Sequence, residues 1–278
     1  MNKCTIFTSF DNTKIWYKYS NGKGPCLVFI HGLSGSSSAW QPISDYFTKK
    51  GNPVLLMDMR GHGLSEKPES RERYSINFIV KDLKVILEKN KIKDIILIGH
   101  CYGGMVVQKF CYSCPQIVHK NILINTNYSF VRNKSRFIAN NLFYYYYSFV
   151  SLLLYPLHFE KNIVHLDYKQ FKGTHDLNPN RLYNDIRVTS FRTYLPLFKE
   201  AISLDFTNIL QKIRVPTLII HGKKDIYFPV GIAYKINELI EGSQLKVIDD
   251  NHIPVINSPE KIITIISDFI GPLENTDK

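Results

Sequence analysis

Short apolar runs alternate with longer stretches of helical periodicity along most of this chain. Residues 26–30, 53–57, 94–99, 120–124, 215–221 and 244–248 are brief and rich in Ile, Leu and Val. Such runs, spaced by helical stretches, predict the strands of a mostly parallel sheet, whose two faces are both covered by helices. Residues 3–8 and 15–20 flank the turn-prone Phe10-Asp11-Asn12-Thr13 and predict an opening hairpin. At the other end Ile262, Ile263, Ile265, Ile266, Phe269 and Ile270 keep helical spacing, with Ser258 and Pro259 as start signals for a closing helix.

The alternation stops between Asn127 and Asp205. Residues 137–159 contain no Asp, Glu, Lys or Arg and include four consecutive tyrosines. A membrane span is conceivable at that length. Asn140, Asn141, the tyrosines and Pro156 make it a poor hydrocarbon segment, and a span would tear apart the sheet on either side. Three readings stay open: helices packed over a site, an acyl-binding wall, or a surface in peripheral contact with a membrane. The later part, 178–204, is more polar, and periodicity does not decide whether Asp185, Arg187, Thr189, Ser190, Arg192 and Tyr194 face a pocket or water.

With 278 residues, 44% of them hydrophobic, the chain can bury a large core. Its net charge of +11, from 35 Lys and Arg against 24 Asp and Glu, raises nucleic acid, anionic lipid or acidic substrates as partners. The charge is scattered in short groups such as Lys49-Lys50 and Lys223-Lys224, without a basic stripe or a zinc or helix-turn-helix signature, so a nucleic-acid partner is not expected. Anionic substrates, including thioesters of phosphate-bearing carriers, remain open. Five cysteines, an odd number, and a start at Met1-Asn2-Lys3-Cys4 without an apolar signal run predict a cytoplasmic protein. Cys111 and Cys114 form a C-x-x-C without a second ligand pair, and we expect buried packing there, with no metal and no cofactor.

One residue carries candidate chemistry more clearly than any other. Cys101 follows the apolar strand 94–99 in the run Leu97-Ile98-Gly99-His100-Cys101-Tyr102-Gly103-Gly104, where a strand breaks directly into a helix. Gly99 and Gly103 give that turn the steric room it needs, and the N-terminus of the following helix is expected to favour a thiolate.

The pattern Gly-x-nucleophile-x-Gly resembles the nucleophile elbow of the α/β-hydrolase superfamily. Four other segments match in order: Val28 to Gly35 with its His31-Gly32 pair, Val54 to Ser65, Thr217 to Asp225, and Asp250 to Pro254, with the closing helix after them. The resemblance implies an α/β-hydrolase fold, a mostly parallel central sheet with helices on both faces and an inserted helical cap. It divides the chain into a core of residues 1–127 and 206–278 and a cap of 128–205. It also implies Cys101 as nucleophile, Asp225 as acid and His252 as base, with the main-chain N–H groups of Leu33 and Tyr102 as oxyanion donors and Gly32, Gly99, Gly103 and Gly104 as loop and elbow glycines. His62 precedes the nucleophile, against the family order, and with Arg60 is read as structural; Asp249 and Asp250 are read as surface residues.

Sulfur at the nucleophile position restricts the reaction. An alkylated cysteine is a stable thioether, whereas a thioester can be attacked by water, alcohol, thiol or amine. Opening of epoxides or displacement of halide is therefore not expected. The elbow is reminiscent of dienelactone hydrolases and polyhydroxyalkanoate synthases, although the long additional regions of the synthases are missing. The expected activity is hydrolysis of an ester or thioester of a small molecule with an apolar acyl group. Acyl transfer to another acceptor, and a catalytically silent binding protein on the same fold, are the alternatives.

Overall fold

The computed structural model describes residues 2–131, 141, 142, 145, 146, 148, 149 and 164–271. Eight strands form one sheet: β1 (Asn2–Thr8), β2 (Lys14–Ser20), β3 (Cys26–Ile30), β4 (Val54–Met57), β5 (Ile95–His100), β6 (Val118–Ile124), β7 (Thr217–Gly222) and β8 (Gln244–Ile248). Their order is β1-β2-β4-β3-β5-β6-β7-β8. The opening hairpin is antiparallel and β2 joins β4 antiparallel, while every pair from β4 to β8 is parallel. This is the α/β-hydrolase fold.

Because side chains alternate along a strand, the apolar runs feed two cores. Val28, Ile30 and Leu97 pack on one face with α2 (Ile76–Lys89) and α3 (Tyr102–Ser113), through Leu83, Met105, Val106 and Phe110. Leu27, Phe29, Ile96 and Ile98 pack on the other with Trp40, with Ile43 and Phe47 of α1 (Gln41–Lys49), and with the closing helix Pro259–Ile270. Ser258 stands at the N-cap of that closing helix but makes no side-chain capping bond; Pro259, which has no N–H to satisfy, starts the turn. Cys111 and Cys114 are both buried, as free thiols.

Between β6 and β7 the described residues include α4 (Pro179–Thr189) and α5 (Phe191–Ser203). Most of the uncharged stretch 137–159 lies outside the described residues. Within it Leu142, Tyr145, Tyr146 and Phe149 are each exposed by more than half. No described helix is long and apolar enough to cross a membrane.

Candidate active site

Three loops at the C-terminal ends of parallel strands meet at one point, the usual place for chemistry in an open α/β sheet. Cys101 follows β5 and opens α3, Asp225 follows β7, and His252 follows β8.

The elbow strains the nucleophile candidate itself. Cys101 has φ +54° and ψ −120°, a region that side chains rarely adopt. The conformation is held from several sides: Cys101 N–H donates to Ile124 O at 3.0 Å, and Cys101 O accepts from Gly104 N–H at 3.0 Å and from Thr126 Oγ1 at 2.6 Å. The flanking glycines serve close approach. A Cβ on Gly99 would run into the carbonyl of Gly103, and one on Gly103 would run into the carbonyls of Ile30 and His31. Gly104 abuts Thr126 in the same way, and Gly32 lies against Cys101 and His100.

The neighbouring peptide of Gly32 and Leu33 is oriented by His31. Burial lowers the His31 pKa, leaving the ring neutral. Its Nδ1–H donates to Gly32 O at 2.8 Å while Nε2 accepts from Met59 N–H at 3.0 Å. A trans peptide points its N–H opposite its carbonyl, so Leu33 N–H is turned away from the His31 ring. Neither Leu33 N–H nor Tyr102 N–H donates to any acceptor among the described residues.

His252 is buried between two kinds of partner. Its Nδ1 lies 2.8 Å from Asp225 Oδ2, and its ring interacts with the Cys101 sulfur. Burial opposes a charged ring, but the charge and hydrogen bonds of Cys101 and Asp225 outweigh it and push the His252 pKa up to about 10. Burial likewise opposes the Asp225 carboxylate, and His252, the N–H of Phe228 and Asn125 together hold its pKa below the usual value. Tyr227 N–H and Phe228 N–H both reach Asp225 Oδ1 at 2.8 Å. The rings of Tyr227 and Phe228 pack edge-on against His252.

The other candidates fall away from the sulfur. The His62 ring spends Nδ1 on Arg60 O at 3.0 Å and Nε2 on Ser34 N–H at 3.3 Å, and burial, first among its causes, lowers its pKa to about 3. Arg60 is fully buried, its guanidinium bridging Asp82 at 2.7 Å and Asp11 at 2.9 Å. Asp249 is exposed and pairs with Lys223 and Lys224. Asp250, expected at the surface, is instead buried: its Oδ1 accepts from Asn251 N–H at 2.8 Å, tying off the turn that leads to His252.

Four polar residues here were not among the expected site residues, although His100 and Asp58 lie inside the matched segments. Asn125, at the end of β6, gives Nδ2 to Asp225 Oδ2 at 2.7 Å and accepts Gly222 N–H on Oδ1 at 3.2 Å. Its left-handed φ of +41° is one that Asn tolerates well, the only local hint it offers. His100 donates Nε2–H to His252 O at 2.7 Å. Asp58 gathers Ser37 N–H, Leu64 N–H and His165 Nε2. Asp176 lies against the loops of Asp225 and His252. No cluster of three His, Cys, Asp or Glu among the described residues is arranged to hold a metal.

Comparison with known proteins adds a family. The sequence profile described as alpha/beta hydrolase fold matches residues 25–259. Protein ABHD8 of Bos taurus is 26% identical over 246 residues, covering 88% of this chain and 55% of that protein. Epoxide hydrolase 4 of Mus musculus is 24% identical over 252 residues, 83% of this chain and 68% of that one. The chain thus spans about half the length of the ABHD8 proteins it matches. Among solved structures, the esterase EaEST from Exiguobacterium antarcticum superposes with a TM-score of 0.78 at 21% identity, over 96% of this chain and 99% of that one. A mutant epoxide hydrolase from Bacillus megaterium superposes with a TM-score of 0.75 at 21% identity, over the same shares of the two chains. At these identities the likeness to the solved structures is one of fold.

Proposed function

Since this chain belongs to the alpha/beta hydrolase family, we propose that it is an acyl hydrolase acting on esters or thioesters through Cys101, His252 and Asp225. The observation that carries this reading is the convergence on one ring: His252 binds Asp225 at 2.8 Å through Nδ1 and meets the strained, part-exposed Cys101 with the rest of its ring.

The sulfur attacks the substrate carbonyl carbon, and the carbonyl oxygen becomes an oxyanion held by Leu33 N–H and Tyr102 N–H. The carbon–oxygen or carbon–sulfur bond to the leaving group then breaks as the protonated His252 ring gives it a proton, leaving a thioester on Cys101. Water attacks that thioester while His252 takes its proton. Collapse of the second oxyanion releases the acid and returns the sulfur. Asp225 keeps Nδ1 of the ring protonated and stabilises its charge throughout.

Epoxide opening, the activity in the names of two similar proteins, requires a hydrolysable alkyl ester on the nucleophile, which sulfur does not form. On our reading residues 1–127 and 206–278 are the core and 128–205 the cap that selects an apolar acyl group. The thiol is kin in chemistry to dienelactone hydrolases and polyhydroxyalkanoate synthases. Transfer to a non-water acceptor would use the same intermediate.

Intact-protein mass spectrometry after exposure to activated acyl esters tests the proposal. An acyl adduct on the wild type that is missing from Cys101→Ala supports it; absence of any adduct across short and long acyl donors overturns it and leaves the binding-protein reading. Adduct decay that is slow in water and fast with added alcohol or amine would assign transfer in place of hydrolysis.

A further inference from the structure

Both main-chain polar groups of His252 are taken by side chains from distant parts of the chain. Its carbonyl accepts from His100, and its N–H donates to Asp176 Oδ1 at 2.9 Å. Asp176 is only 2% exposed and belongs to the segment leading into α4, between β6 and β7. Its second oxygen, Oδ2, accepts from Ile226 N–H at 3.4 Å, the residue directly after Asp225. One carboxylate therefore spans the loop of the base and the loop of the acid. Asp176 is in turn fixed from behind, because its carbonyl accepts from Arg181 Nη2 and from Tyr227 Oη at 3.3 Å. Arg181 is held by Asp185 at 3.0 Å.

We propose that Asp176 is a positioning residue for the reaction: a buried clamp that sets the separation of Asp225 and His252 and, as a second carboxylate bound to the main chain of the base, favours a protonated His252. The proposal rests on His252 being the base of the reading above. Burial, and to a smaller degree the Asp225 charge, push the Asp176 pKa up, while the charge of His252 and the main-chain N–H groups of Ile226 and His252 that its two oxygens accept favour its ionised form. The other titratable groups around the His252 ring are Cys101 and Asp225, which favour its protonation, and His100, His221 and Tyr227, with Arg181 acting on His100 and Tyr227.

Asp176→Asn removes the charge and turns one acceptor into a donor facing Ile226 N–H. Two readouts separate positioning from mere stability. The His252 titration, followed by NMR of histidine-labelled protein, is expected to move down by about one pH unit, because a nearby anion that favoured the charged ring is gone. The kcat on an activated acyl ester is expected to fall about tenfold to a hundredfold with KM within about twofold, as misplacement of acid–base groups does. A variant that melts earlier but keeps the wild-type titration and kcat overturns the proposal. The titration needs no turnover, so an inactive wild type with a shifted midpoint would sink the hydrolase reading and leave the clamp standing. Should Asp176→Asn not fold, Asp176→Glu keeps the charge on a longer arm: a lowered kcat with an unmoved titration supports the clamp, and an unchanged kcat refutes it.

Discussion

Asn125 Nδ2 lies 2.7 Å from Asp225 Oδ2, the same carboxylate oxygen that meets His252 Nδ1 at 2.8 Å. The amide thus shares with the imidazole the task of keeping a buried carboxylate ionised and pointed. Asn125→Ala leaves that oxygen with one donor fewer, so the Asp225 pKa is expected to rise and the acid limb of the pH–rate profile to move to higher pH, with kcat reduced about tenfold. An acid limb that stays in place would show that Asn125 only joins β6 to β7.

After burial, which acts the other way, the Cys101 sulfur is the first of the influences that raise the His252 pKa. In Cys101→Ala the ring loses that partner and is expected to titrate at lower pH than the wild-type value of about 10. The adduct-forming activity should drop by about a thousandfold or more in the same variant. A histidine titration unaltered by the substitution would mean that sulfur and ring do not interact in solution.

A folded pKa near 10 stands above the unfolded histidine value near 6.5, so the interactions of His252 stabilise the fold fully below about pH 6.5. That contribution is lost progressively as pH rises through about 10. Melting temperatures of the wild type and His252→Gln, measured from pH 6 to pH 10.5, are expected to differ most at the low end and to converge at the high end. A constant gap would contradict the raised pKa.

Gly103 lies against the main-chain carbonyls of Ile30 and His31, which have no side-chain freedom with which to yield. Gly103→Ala is expected to destabilise the protein by about 3 kcal/mol in urea unfolding, as overpacking against rigid backbone does. A loss below about 0.5 kcal/mol would mean that β3 and α3 are less tightly apposed than described.

The buried guanidinium of Arg60 neutralises Asp82, which shows no exposure of its own and whose pKa burial pushes up. Arg60→Met should cost about 3–5 kcal/mol at neutral pH by stranding that carboxylate, and the deficit should shrink on acidification as Asp82 protonates. An equal deficit at pH 4 and pH 7 would argue that lost packing, and not the unpaired charge, is responsible.

Much of the architecture was legible in the residues. Strands buried on both faces must be apolar throughout, so the central strand β3 announced itself as a short apolar run and begins and ends where the run does; the edge strand β8, mostly exposed and carrying Gln244 and Lys246, was legible only from the Leu245, Val247 and Ile248 it keeps. The elbow was legible for a related reason: a strand that turns at once into a helix admits few residue types beside the apex, and Gly99 and Gly103 mark it. Cys101 could be nominated from its place at the elbow, and Asp225 and His252 from the family resemblance of the segments that carry them. Their mutual geometry could not, because sequence order says nothing of how far apart three loop ends lie.

Tertiary structure alone decided which polar residues surround that ring. Asn125, His100 and Asp176 act through hydrogen bonds to loops far away in the chain, and such contacts leave no periodicity or spacing behind. The burial of Asp250 and Arg60 was hidden for the same reason: a charged side chain looks solvated until the packing that encloses it, and the partner that neutralises it, are both in place. Apolar pattern is a property of neighbours in sequence and is written there; the environment of a buried charge is a property of neighbours in space.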